Sequence, residues 1–193
     1  MDTSEEFLIG GDELFDNPRF VNHFNFMLND YVPPVEKPIA LFLSCSKHKP
    51  YNKSPYRRVF NAMLEKNLKI KDLSQTYTIS EPAILVPQEM DDTPVTQYEF
   101  PPDKLETYGR QIFIERLSKI LPKIIRAHKI SFYVLPKHHR GIFESALEII
   151  KNNNKSVLAN KHIVYAPPVT YNIHRARKIM EEVLFKQKVL RDE

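Results

Sequence analysis

From residue 39 onward the chain alternates short apolar runs with longer amphipathic stretches, and that rhythm narrows the fold more than any other feature. Runs of four to six apolar residues bounded by polar turns suit buried strands, and stretches with a three-to-four-residue apolar repeat suit covering helices. The pattern predicts strands at Ile39–Leu43, Thr76–Ile79, Ala83–Val86, Ile130–Leu135 and His162–Tyr165. Helices are expected at Pro55–Asn67, from Asp103 onward, at Arg140–Ile150 and at Tyr171–Leu190. In the third-from-last of these, Asp103 with Glu106 has capping-box spacing, and Pro122 is expected to kink or break the helix. Strands alternating with helices predict an α/β fold, a three-layer α/β/α sandwich with a mainly parallel sheet.

Four glycines against fifteen prolines mean that proline pairs, at Pro33-Pro34, Pro101-Pro102 and Pro167-Pro168, punctuate the chain. Residues 1–36 read as an N-terminal helical extension packed on the core through Phe20, Phe24, Met27 and Leu28, and residues 37–193 as the α/β core domain. The longest strongly apolar run is too short to cross a bilayer, and the acidic start at Asp2, Glu5 and Glu6 is unlike a signal peptide. A cytoplasmic protein with no membrane partner is therefore expected. A single cysteine, Cys45, excludes an intrachain disulfide and any metal site built from several thiolates.

The net charge of +4 and pI near 9.0 are compatible with a nucleic-acid partner without demanding one. The positive charge is clustered. Lys47, His48, Lys49, Lys53, Arg57 and Arg58 surround the cysteine, Lys137 to Arg140 form a second group, and His174, Arg175, Arg177 and Lys178 a third. Each group is either a phosphate contact or a solvated surface. Cys45 directly follows the first predicted strand, where loops at the carboxyl ends of parallel strands form ligand crevices. Neighbouring cations would favour its thiolate, and a structural, buried thiol is the alternative. The Pro136–Arg140 stretch precedes a helix and suits phosphate binding. Adjacent His138 and His139 are expected to diverge, with no cysteine or carboxylate close by, so neither a metal site nor a cofactor is expected.

Cys45, Lys49, Pro50, Tyr51 and Ser54 carry a spacing that resembles the core motif of archaeosine synthases, relatives of the tRNA-guanine transglycosylases. Ser44 stands where that family usually has proline and Arg57 where it usually has histidine. The segment Ser80–Glu89, with its Val-Pro and glutamate, is similar to a second family segment, and Tyr98–Pro101 to a third, with Glu99 replacing aspartate. Tyr31, Pro33 and Pro34 resemble the approach to the first strand, so the likeness spans residues 31–150.

The resemblance implies a uracil-DNA glycosylase-like fold and a tRNA-modifying transferase that adds free lysine to 7-cyano-7-deazaguanine in tRNA. It further implies separate transglycosylase-like, RNA-binding or radical-enzyme subunits as partners. Under it, Cys45, Lys49 and Tyr51 are the candidate catalytic residues. Ser54, Arg57 and Glu89 are candidate substrate-binding residues, and Lys137, His138, Arg140, Arg175 and Lys178 candidate contacts to tRNA phosphates. Structural roles stand beside these: Tyr51 packing beneath the loop and Ser54 capping the next helix. A thioimidate on Cys45 and direct amine attack in a polarising pocket remain alternative routes. A non-catalytic nucleobase- or tRNA-binding subunit is the competing function. A base-removing glycosylase ranks last, because the first loop is basic rather than acidic.

Overall fold

A computed structural model describes residues 6–66 and 68–189. Its central feature is a five-stranded sheet of β2 (Ile39–Ser44), β3 (Ser74–Ser80), β4 (Ile84–Pro87), β6 (Ile130–Val134) and β7 (His162–Tyr165). The order is β4-β3-β2-β6-β7. All neighbours run parallel except β4, which turns back antiparallel on β3. A separate two-stranded parallel pair joins β1 (Leu8–Ile9) to β5 (Tyr98–Glu99).

The strand period of two sorts β2 between the layers. Ala40 and Phe42 face one side, with Tyr77 and Ile79 of β3. There they meet α4 (Thr107–Ala127) through Phe113, Leu117 and Ile120, and α5 (Lys137–Asn153) through Ile142, Phe143 and Ala146. Ile39, Leu41 and Leu43 face the other side, with Ile130 and Phe132. Against them pack α2 (Pro55–Glu65), through Phe60 and Met63, and α6 (Val169–Lys186), through Ala176 and Met180. The fold is thus an α/β sandwich with helices on both sheet faces. The short α3 (Leu68–Asp72) leads into β3. Helix α1 (Pro18–Asn29) places Met27 in the first of these clusters and Phe20 in a third, beside Tyr51 and Tyr98. Among the described residues no helix is long and apolar enough to cross a membrane.

Several local expectations change. Asp103 caps nothing: it lies in a short 3-10 turn, Pro102–Lys104, and α4 starts only at Thr107. Two backbone donors of that helix start are taken by Asp12, whose carboxylate accepts from Glu106 N at 3.1 Å and Gly109 N at 2.7 Å. Pro122 does not break α4, which continues to Ala127. Its flanking Leu121, Ile124 and Ile125 are fully buried, and their burial holds the turn despite the missing N–H. Helix α5 starts at Lys137 rather than Arg140, bringing His138 and His139 into its first turn. Helix α2 ends at Glu65, while Asn67 and Leu190, the expected ends of two helices, lie outside the described residues.

Candidate functional site

A cavity of about 390 Å³ opens at the carboxyl edge of the sheet. It lies where the loop after β2, the turn after β3 and the first turn of α5 meet, and its volume is within the range of small-molecule sites. Cys45 and Lys49 come from the first segment, Glu81 from the second, and His138 and His139 from the third, with Tyr98 and Phe100 closing one wall.

Cys45 prolongs the β2–β3 ladder by one residue, its N–H donating to Ile79 O at 2.9 Å, so the thiol is fixed at the end of a central strand. Its Sγ lies 3.7 Å from Glu81 Oε2 and 3.9 Å from His139 Nε2. Glu81 is buried, and its two oxygens are divided between the imidazoles. His138 Nε2 donates to Oε1 at 2.7 Å, and His139 Nε2 to Oε2 at 3.0 Å. Burial works against charge on Glu81, yet His139 and His138 hold it well below the usual carboxylate range. For His139 burial favours the neutral ring, but Glu81 and Cys45 beside it raise its pKa to about 10. These shifts favour an imidazolium–carboxylate pair beside the Cys45 sulfur, in which the imidazolium is the proton donor. His139 Nδ1 has no partner among the described residues. The expectation that the two histidines diverge with no carboxylate near them is corrected: their rings stand 5.0 Å apart and converge on Glu81.

Lys49 donates to Tyr98 O at 2.9 Å and sits 3.9 Å from the centre of the Tyr98 ring. Burial lowers its pKa, with Cys45 and Glu81 opposing that shift. Lys47 pairs with Glu99 at 3.2 Å on the rim. Tyr51 is fully buried and does not line the cavity. Its hydroxyl hydrogen-bonds Ser80 Oγ and Tyr98 Oη, each at 2.9 Å, and a Ser80–Tyr98 hydroxyl contact completes the group beneath the floor.

The three candidate substrate-binding residues stand away from the cavity lining, as Tyr51 does. Ser54 is the N-cap of α2, accepting from Arg57 N at 3.1 Å. Arg57 is buried, and its guanidinium donates to Thr78 Oγ1 at 2.6 Å. Burial lowers its pKa, and the nearby Asp91 opposes that shift. Glu89 accepts from Tyr31 Oη at 2.9 Å and Gln75 Nε2 at 2.6 Å. Lys137 is exposed, and Arg140 lies 3.7 Å from Glu144 and over the Tyr165 ring. Arg175 and Lys178 are exposed on α6, where Lys178 lies 3.7 Å from Glu182.

The sequence does not mark Glu81 or His139 as catalytic: Glu81 lies in the Ser80–Glu89 segment of the resemblance, and His139 in the Pro136–Arg140 stretch expected to bind phosphate. Their signal is position: Glu81 follows a strand's carboxyl end, and His139 opens the helix after the neighbouring strand.

The family model for a domain of unknown function, DUF5591, matches residues 20–166, a span that contains every group lining the cavity. The chain belongs to the DUF5591 family. This DUF5591 chain is also similar in fold to the crystal structure of AF0587, a protein of unknown function, with a TM-score of 0.54 and 15% identity. The match covers 84% of this chain and 49% of that one, so the present chain spans about half the length of AF0587. At that identity the likeness shows the fold alone. No curated protein matches the sequence.

Proposed function

We propose that this DUF5591 chain is a tRNA-modifying transferase of archaeosine biosynthesis, acting on 7-cyano-7-deazaguanine with free lysine as the amine donor. One observation carries the reading. Three separate segments that resemble archaeosine synthases, the Cys45–Ser54 loop, Ser80–Glu89 and Tyr98–Pro101, each contribute side chains to one cavity of base-like size.

The chemistry of the cavity suits addition to a nitrile, which needs a polarised carbon, a proton for the nitrogen and a deprotonated amine. In the covalent route the Cys45 sulfur adds to the nitrile carbon as the His139 imidazolium gives its proton to the nitrile nitrogen and takes up the thiol proton in its place, forming a thioimidate. The lysine amine then adds to that carbon and the thiol leaves, giving the amidine. In the direct route the amine adds without the sulfur, and His139 supplies the proton to nitrogen. Phe100 and Tyr98 offer aromatic surface for the heterocycle. Arg57, at the position where the resembling family has histidine, lies off the cavity lining, so that departure leaves the reacting groups intact.

Basic residues at the same sheet edge support a tRNA partner. Strands β2, β6 and β7 are parallel, so the Lys47–Lys53 loop, the start of α5 with Lys137 and Arg140, and the start of α6 with Arg175 all leave from their carboxyl ends. Lys178 follows one turn later.

The reading is tested by equilibrium binding of two otherwise identical tRNAs, one carrying 7-cyano-7-deazaguanine and the other guanine. Preference for the nitrile-bearing tRNA, lost in Phe100→Ala, supports it. Equal binding of both tRNAs contradicts it.

A further inference from the structure

Cys45, Glu81 and His139 present three different ligand atoms from three separate elements, all within 4.8 Å of one another. The Sγ–Oε2, Sγ–Nε2 and Oε2–Nε2 separations are 3.7, 3.9 and 3.0 Å. A tetrahedral zinc ion, with Zn–S about 2.3 Å and Zn–N or Zn–O about 2.0–2.2 Å, requires ligand atoms about 3.3–3.6 Å apart. Small side-chain adjustments bring all three separations into that range. We infer that this triad is a zinc site, with Cys45 thiolate, Glu81 carboxylate and neutral His139 as its protein ligands.

The donor chemistry narrows the ion. Magnesium and calcium take oxygen donors, whereas one thiolate, one imidazole and one carboxylate form a mixed set that suits zinc. The thiolate and carboxylate together neutralise the charge of a divalent ion, which offsets the cost of holding it in a buried place. Glu81 is already oriented for the task, because its second oxygen accepts from His138 Nε2 at 2.7 Å, the outer hydrogen bond that ligating carboxylates commonly have. His138 is thus a positioning residue and not a ligand. All three ligands lie on the lining of one cavity, so a fourth position facing that cavity stays open, as in catalytic rather than structural zinc sites.

The ligand geometry stands whether or not the transferase reading is right. If both hold, a zinc-bound Cys45 is a ligand and not a free nucleophile. The open position would then take the nitrile nitrogen, and direct amine attack becomes the route.

The test uses the whole chain, stripped with a chelator and titrated with zinc, and separately with cobalt(II) as a spectroscopic substitute. Because Cys45 is the sole cysteine, a thiolate-to-cobalt charge-transfer band in the near ultraviolet can come only from it. The expected result is one zinc per chain and a tetrahedral cobalt spectrum with that band. Cys45→Ser abolishes the band, His139→Asn and Glu81→Gln weaken zinc binding at least tenfold, and His138→Gln weakens it about tenfold. Lys151→Ala, exposed in the last turn of α5, leaves binding unchanged. Absence of the charge-transfer band in the wild-type chain overturns the inference, whatever the variants do. So does zinc binding that survives Cys45→Ser and His139→Asn undiminished.

Discussion

The thiol of Cys45 lies 3.7 Å from the carboxylate of Glu81, a residue 36 positions further along the chain. Parallel pairing of β2 with β3 creates this proximity, since Ser44 and Ile79 are register partners and the next residues leave the sheet together. The sheet edge therefore fixes the relation of the two groups.

Glu81 is expected to matter for stability as well as chemistry. In metal-free protein, Glu81→Gln leaves the His139 imidazolium buried without its counter-charge, and removing one member of such a pair costs about 3 kcal/mol. Urea unfolding monitored by circular dichroism should show that loss. His138→Gln should cost less than about 1 kcal/mol, because the side chain of His138 is 41% exposed.

The start of α4 depends on Asp12. Asp12→Ala removes two hydrogen bonds to backbone N–H groups and should destabilise the fold by about 1–2 kcal/mol. Gly109→Ala should also destabilise, although alanine favours helices by about 1 kcal/mol. A Cβ at that position collides with the Asp12 carboxylate. Thermal unfolding of both variants checks this, and a stabilised Gly109→Ala would contradict the capping arrangement.

His23 is buried with Nε2 2.9 Å from Leu85 O, and burial lowers its pKa, the hydrogen bond to Leu85 opposing only in part. A histidine with a depressed folded-state pKa contributes stability above its unfolded value, near 6.5, and that contribution is lost as pH falls below it. His23→Gln keeps an amide donor and removes the titration. The wild-type chain should therefore lose more stability than the variant between pH 7.5 and pH 5, by up to about 1.4 kcal/mol for each pH unit below 6.5. Burial likewise lowers His128, but it is present in both proteins, so the difference between their profiles isolates His23.

Tight and salt-sensitive tRNA binding is expected of the basic edge. Lys137→Ala and Arg175→Ala should each weaken binding equally for nitrile-bearing and unmodified tRNA, and each should lower the slope of log affinity against log salt by about 1. Titrations at several salt concentrations read this directly. An unchanged slope would remove those residues from the interface.

What could be read from the chain follows its local physics. The alternation of Ile39, Leu41 and Leu43 with Ala40 and Phe42 marks a strand buried on both faces, and the structure divides those residues between its two cores. Ser54 followed by Pro55 marks a helix start, and Ser54 is its cap. The cap of α4 was not legible, because it comes from Asp12, 94 residues before Glu106. The strands β1 and β5, two residues each, exist only through their mutual pairing and carry no periodic signal. At the candidate site, Cys45 and Lys49 stand out by local spacing. Glu81 gains meaning only beside His139, 58 residues away, once both elements reach the same sheet edge. Arg57 has the charge of a substrate contact but the surroundings of an internal strut, and only the tertiary structure separates the two.

Turnover tests the central claim most directly. Purified protein is incubated with isotope-labelled lysine and tRNA bearing 7-cyano-7-deazaguanine, with and without separately supplied partner subunits, and the digested nucleosides are analysed by mass spectrometry. The account predicts a lysine adduct on the deazaguanine from the wild-type chain, and a loss of at least a hundredfold in its rate of formation in Glu81→Gln. No adduct under either condition would contradict a transferase and leave a non-catalytic nucleobase- or tRNA-binding subunit in its place.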